Sequence, residues 1–141
     1  MSIKKAIVKH IKGVTFLGKS DSNHWVTMDG PESFGGSDAG TRPKELLLIA
    51  LGGCTGSDVI TILQKKKVQI NNFEMNISAD VADEHPQVFT KINVEYVFHG
   101  KDIQEKDVER AIELSQTKYC SVTHMLNKAM EISHSFKILE T

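Results

Sequence analysis

Cys54 and Cys120 are the two thiols of this 141-residue chain, and on residue type alone they are its most reactive side chains. A thiolate is a nucleophile, a metal ligand and a source of reducing electrons. Most single cysteines are instead small core hydrophobes. Two are too few for a disulfide scaffold or a four-thiolate zinc site, but enough for a redox pair. Asp58 follows Cys54 by one helical turn and His124 follows Cys120 by the same spacing. Cys120 and His124 with Cys54 or Asp58 could therefore form a metal shell. Such Cys/His spacing is common by chance, so neither a metal nor a cofactor is expected. An acid one turn from a thiol opposes its ionisation, so a reactive Cys54 asks for a nearby cation. Arginine occurs only at positions 42 and 110. Arg42 is the better candidate because it opens the helix that carries Cys54.

The elements around these residues follow from periodicity. The first forty residues hold short β-like runs, AIVKHI, VTFLG and HWVTM, punctuated by Gly13, Gly18 and Asp29-Gly30-Pro31. A glycine-rich stretch, SFGGSDAG, leads into a long helix with Thr41 ahead of it, Pro43 and Glu45 in its first turn and three lysines at its far end. Residues 46–51 are apolar on all sides, which predicts burial there. In the second half of this helix Val59, Ile62 and Leu63 share one face. Cys54 lies nearly opposite, in line with Leu47, Leu51, Asp58 and Thr61. That stripe must meet a second subunit, a ligand pocket, or both. Gly52 and Gly56, one turn apart, suit close packing against either the sheet or a partner helix.

Further on, Phe73, Met75, Ile77, Ala79 and Val81 alternate, as do Ile92, Val94, Tyr96 and Phe98, with a proline-containing connection at 83–87. This reads as an antiparallel hairpin with one wet face. Asp102 and Glu105 have capping-box spacing ahead of a second helix with the stripe Val108, Ala111, Ile112, Ser115. A third helix is expected to carry Val122, Met125, Leu126 and Ala129, with Cys120 at its start and off that stripe. There the thiolate gains from the helix dipole and free N–H groups. The tail alternates again through Ile132, His134, Phe136 and Ile138, as a last strand. The whole is an α+β chain, expected to form one domain over 1–141.

Composition narrows the partners. Seventeen basic against eighteen acidic residues leave a formal charge of -1, which argues against nucleic acid. The apolar stretch 46–63 is long enough to span a bilayer, but it contains Asp58 and a Gly-Cys-Thr-Gly-Ser centre. No membrane role is expected from it. The charged N-terminal residues lack the apolar core of a signal peptide, so the cytoplasm is the expected compartment.

RPKELLLIALGGCTGSDV (42–59) together with KYCSVTHML (118–126) resembles the osmotically inducible protein C and organic hydroperoxide resistance family. The likeness runs over essentially the whole chain, and the leading GPESFGG and RP elements look like a less characterised branch. The resemblance implies an OsmC-like fold with antiparallel β-sheets and a long central helix, working as an intertwined homodimer. It implies thiol peroxidase chemistry on an organic hydroperoxide substrate. Cys54 would be the attacking thiolate and Cys120 the resolving thiol, with a disulfide between them reduced by an external dithiol or lipoyl-type reductant. Peroxidase branches carry a catalytic glutamate directly after the shared proline. Here Lys44 stands there and Glu45 follows, so Glu45 is the candidate acid. They also draw an arginine from the N-terminal strands, where this chain has none before Arg42. With Leu47, Leu51 and Asp58 as pocket residues, the site set is Cys54, Cys120, Arg42 and Glu45. The Lys44 substitution favours an alternative: a non-enzymatic redox-sensing dimer, or one binding a small hydrophobic ligand.

Overall fold

In the computed structural model, which describes residues 1–141, the chain divides into two compact units, Met1–Leu47 and Leu48–Thr141. Strands β1 (Ala6–Lys12), β2 (Thr15–Ser20) and β3 (Val26–Met28) form the antiparallel sheet of the first unit, in that order. They coincide with the three β-like runs. A 3-10 turn at Glu32–Phe34 begins the glycine-rich loop. The buried Asp29 carboxylate organises that loop by accepting the N–H groups of Gly30 at 2.8 Å and of Ser37 and Ala39 at 3.1 Å. Burial pushes this carboxyl up, but these N–H donors hold it below its ordinary value.

Helix α1 (Glu45–Lys65) starts in the first unit and runs through the second. The Glu45 carboxylate accepts the Arg42 N–H at 2.9 Å, the backward half of a capping box. At the far end Lys67 adopts φ 61° and the Val68 N–H returns to the Leu63 carbonyl at 3.0 Å, closing the helix. The second unit adds β4 (Asn72–Val81), β5 (Phe89–His99), α2 (Glu105–Leu114), α3 (Ser121–Leu126) and β6 (Glu131–Leu139). Its sheet has the order β4-β5-β6. The hairpin pairing is antiparallel as expected, with Phe73 opposite Phe98 and Met75 opposite Tyr96. The β5–β6 pairing is parallel, because the chain crosses over through α2 and α3 before β6 returns.

Strand β5 is central, so Ile92, Val94, Tyr96 and Phe98 are wholly buried, together with Leu51, Val59 and Leu63 of α1 and Val108 and Ala111 of α2. A Cβ on Gly52 would come within 2.7 Å of Ile77 Cδ1, and one on Gly56 within 2.5 Å of Met75 Cε. The close spacing of these glycines therefore serves packing on β4.

Three local expectations are corrected. Helix α2 is capped at Gln104 without a side-chain bond, and Asp102 sits outside it at φ 57°, so Asp102 and Glu105 form no capping box. Helix α3 stops at Leu126; Met125 is 64% exposed and Ala129 lies beyond the helix end. Finally, residues 46–51 are not buried all round. Ile49 is 58% exposed and Leu47 is 43% exposed, because the sheet covers only one side of α1. By length and composition α1 could cross a membrane. Against that, its Asp58 is hydrogen-bonded within the fold and Leu51, Val59 and Leu63 belong to the core.

Candidate functional site

Cys54, Thr55 and Asp58 come from one turn of α1, with Cys54 and Asp58 on the same face by their spacing. Cys120 arrives by a less regular route. After α2 the chain makes one π turn, Ser115–Tyr119, closed by the Cys120 N–H to the Ser115 carbonyl at 2.7 Å. The extra residue lets Cys120 leave the helical conformation (φ -75°, ψ 101°) and cap α3, where its sulfur accepts the Thr123 N–H at 3.4 Å. Such π turns concentrate at functional sites, where they re-aim a side chain.

The result is a compact cluster. One ligand-type atom from each of Cys54, Asp58 and Cys120 lies within 4.8 Å of the other two. Both thiols are free; Cys54 is half-buried and Cys120 wholly buried. The Cys54 sulfur faces the Ser121 hydroxyl at 3.9 Å, and the Cys120 sulfur meets the Thr55 hydroxyl at 3.3 Å. Asp58 accepts the Ser115 hydroxyl at 2.9 Å. Burial pushes the Cys120 thiol up, but bonds from Thr123, Thr55 and Cys54 outweigh it and leave the thiol below its ordinary value. These donors are neutral, so no cation is needed for the effect.

Behind the sulfurs lies a polar network that sequence reasoning missed. The Gln116 amide nitrogen is 3.2 Å from the Tyr96 hydroxyl, 3.4 Å from Ser115 Oγ and 3.5 Å from Thr55 Oγ1. Its amide oxygen accepts the Thr123 hydroxyl at 2.9 Å. Tyr96 in turn sits 3.0 Å from His134 Nδ1. Burial, with the neighbouring Cys120 thiolate, pushes the Tyr96 phenol up, and burial pulls the His134 imidazole down. Both therefore stay neutral near pH 7 and share that hydrogen bond. Gln116 escaped notice because nothing in sequence marks a π turn. Ser115 was visible only as part of an apolar stripe.

The remaining candidates are placed as follows. In the first unit Arg42 pairs with Asp38 at 2.7 Å and donates to the Gly40 carbonyl at 3.2 Å, while Glu45 caps the helix start. Leu47 is exposed on α1, and Leu51 lies in the core with no exposed surface. His124 is exposed and stands outside the Cys54–Asp58–Cys120 cluster.

A helix-borne thiol thus stands beside a second thiol ahead of a short helix, on an α+β frame. The OsmC-like protein family model matches residues 35–135, and the chain belongs to that family. It is 40% identical over 135 residues to Protein YhfA of Escherichia coli K12, covering 96% of this chain and 98% of that one. A crystal structure of a hypothetical protein from Aquifex aeolicus VF5 is 30% identical, with a TM-score of 0.86 over 100% of this chain and 99% of that one. The organic hydroperoxide resistance protein OsmC of Legionella pneumophila shares the fold at 12% identity, with a TM-score of 0.70 over 97% and 98% of the two chains.

Proposed function

We propose that this chain is a thiol-dependent peroxidase that reduces organic hydroperoxides to alcohols, acting as a homodimer in the cytoplasm. The observation that carries the reading is a half-buried Cys54 beside a wholly buried Cys120 whose thiol is held below its ordinary value. The more open sulfur can meet a substrate, and the buried one is wrapped in donors that stabilise a thiolate.

In this reading the Cys54 thiolate attacks the distal peroxide oxygen. The O–O bond breaks, the alkoxide takes a proton and leaves as the alcohol, and Cys54 becomes a sulfenic acid. The Cys120 thiolate then attacks the sulfenic sulfur, forming the disulfide and releasing hydroxide, which leaves as water on protonation. An external dithiol completes the cycle by attacking Cys54. The departing Cys120 sulfur is the better leaving group because its thiolate is stabilised. Arg42 is proposed as the cation at the reacting oxygen, Glu45 as the acid that orients it, and Leu47 and Asp58 as residues of the substrate pocket, with the buried Leu51 packed behind them. The engagement of Arg42 with Asp38 instead favours a second reading, a redox sensor that is oxidised once without rapid turnover.

The test is thiol titration of the reduced protein after a small excess of cumene hydroperoxide. Both thiols should disappear into one intramolecular disulfide, and Cys54→Ser should leave Cys120 reduced. If both thiols survive in the wild-type protein, both readings fail. Steady turnover with a dithiol separates the enzyme from the sensor.

A further inference from the structure

From the same cluster we infer that the reduced protein has a binding site for a zinc-class divalent ion, with Cys54, Cys120 and Asp58 as ligands and a fourth position open. Around one tetrahedral zinc, bonds of roughly 2.0–2.3 Å set ligand atoms about 3.5–3.8 Å apart. The three ligand atoms here already lie within 4.8 Å of one another, so small side-chain rotations suffice. Two sulfurs and one carboxylate form a donor set for zinc and its softer neighbours, not for calcium or magnesium.

The surroundings match the demands of a metal site. Metal-bound groups need outer partners that fix their direction, and each of two ligands has one. Ser115 donates to one Asp58 oxygen and leaves the other free. The Thr123 N–H and the Thr55 hydroxyl aim at the Cys120 sulfur, a pattern suited to a bound thiolate. Gln116 ties the two supports together through Ser115 Oγ and Thr55 Oγ1. Asp58 also lines a cavity of about 260 Å³ with Ser57, Thr61, Ile62, Lys65 and Tyr119, which opens the carboxylate side of the cluster to solvent.

Binding holds both sulfurs as thiolates and releases whatever thiol protons they still carry. The ion and the disulfide compete for the same sulfurs. Resting on the peroxidase reading, one equivalent of hydroperoxide would take two electrons from the zinc-bound pair and two protons from the buffer acid. It would yield disulfide, alcohol and water, and set the ion free.

The test uses the full-length reduced protein with cobalt and zinc ions as probes, without peroxide. One cobalt ion per chain should bind with thiolate-to-cobalt charge-transfer absorption and the visible bands of tetrahedral cobalt, and zinc should abolish both. Cys54→Ser and Cys120→Ser should lose the charge-transfer band. Asp58→Asn should weaken binding by more than the roughly 10-fold that loss of an outer partner costs, and His124→Gln should change nothing. X-ray absorption of the wild-type zinc form should find two sulfur neighbours, a check that needs no variant to fold. Absence of the charge-transfer band in the reduced wild-type protein, fewer than two sulfurs, or dependence on His124 in place of Asp58 would each overturn the inference. A missing cobalt band alongside peroxide-driven disulfide formation would reject the metal site alone. A cobalt band in a protein inert to peroxide would reject only the peroxidase reading.

Discussion

The two thiols differ by environment, not by type. Cys120 is wholly buried yet held below the ordinary thiol value, because hydroxyl and amide donors overcome desolvation. Thr55→Val keeps the shape and removes one donor. The Cys120 ionisation midpoint, read by thiolate absorbance against pH in a Cys54→Ser background, should rise; an unchanged midpoint would remove Thr55 from the set of stabilisers. The unequal exposure of the sulfurs predicts where a reductant attacks. In Cys120→Ser, an oxidised Cys54 should accumulate as a mixed disulfide with added dithiol or small thiol, detectable by intact mass. In Cys54→Ser the yield at Cys120 should be many-fold lower. Equal trapping at both positions would contradict the assignment of roles.

At the scale of elements, α1 is shaped by what it lies against. The Gly52 position is closed by Ile77, whereas a Cβ on Gly53 would meet nothing within 4 Å. Gly53→Ala should therefore stabilise by up to about 1 kcal/mol through helix propensity. Gly52→Ala sets that gain against an overpacking cost of about 1–3 kcal/mol, since the end of the Ile77 side chain must be displaced within the packing of α1 on β4. Denaturant melts of the two variants should rank Gly53→Ala above wild type and Gly52→Ala below it. The periodic elements were legible in advance: the hairpin, the long helix and the last strand all follow from apolar spacing. The short α3, its exposed Met125 and the π turn were not. Irregular backbone is chosen by what must be reached, and that leaves no period behind.

For the whole molecule, two features predict behaviour. Asp29 holds the glycine-rich loop, and its folded value lies below the unfolded one. An acid whose folded value is depressed stabilises fully above its unfolded value, near pH 4, and loses that contribution as pH falls through the folded value. Asp29→Asn should flatten the acid limb of the stability profile and lower stability at pH 7, as measured by thermal melts across pH. The exposed apolar side chains Leu47 and Ile49 bear on assembly. If that face is covered by a second copy, Ile49→Lys should shift the protein from dimer to monomer in sedimentation equilibrium. A dimer unaffected by the substitution would put the interface elsewhere.

Taken by itself, the sequence determined the α+β class, the strands, the long helix and the presence of one thiol in mid-helix and another before a short helix. These rest on local periodicity and residue type, which are properties of the chain. Only the tertiary structure decided that Cys54, Asp58 and Cys120 meet, and that Ser115, Gln116 and Thr123 serve the sulfurs and the acid. It also decided that Leu51 belongs to the core although it shares a helical stripe with Cys54. The reason is physical. Helical phase fixes the direction of a side chain about its own axis, but which neighbour stands there depends on how distant segments pack. For Cys120 that was settled by one extra residue in a single turn.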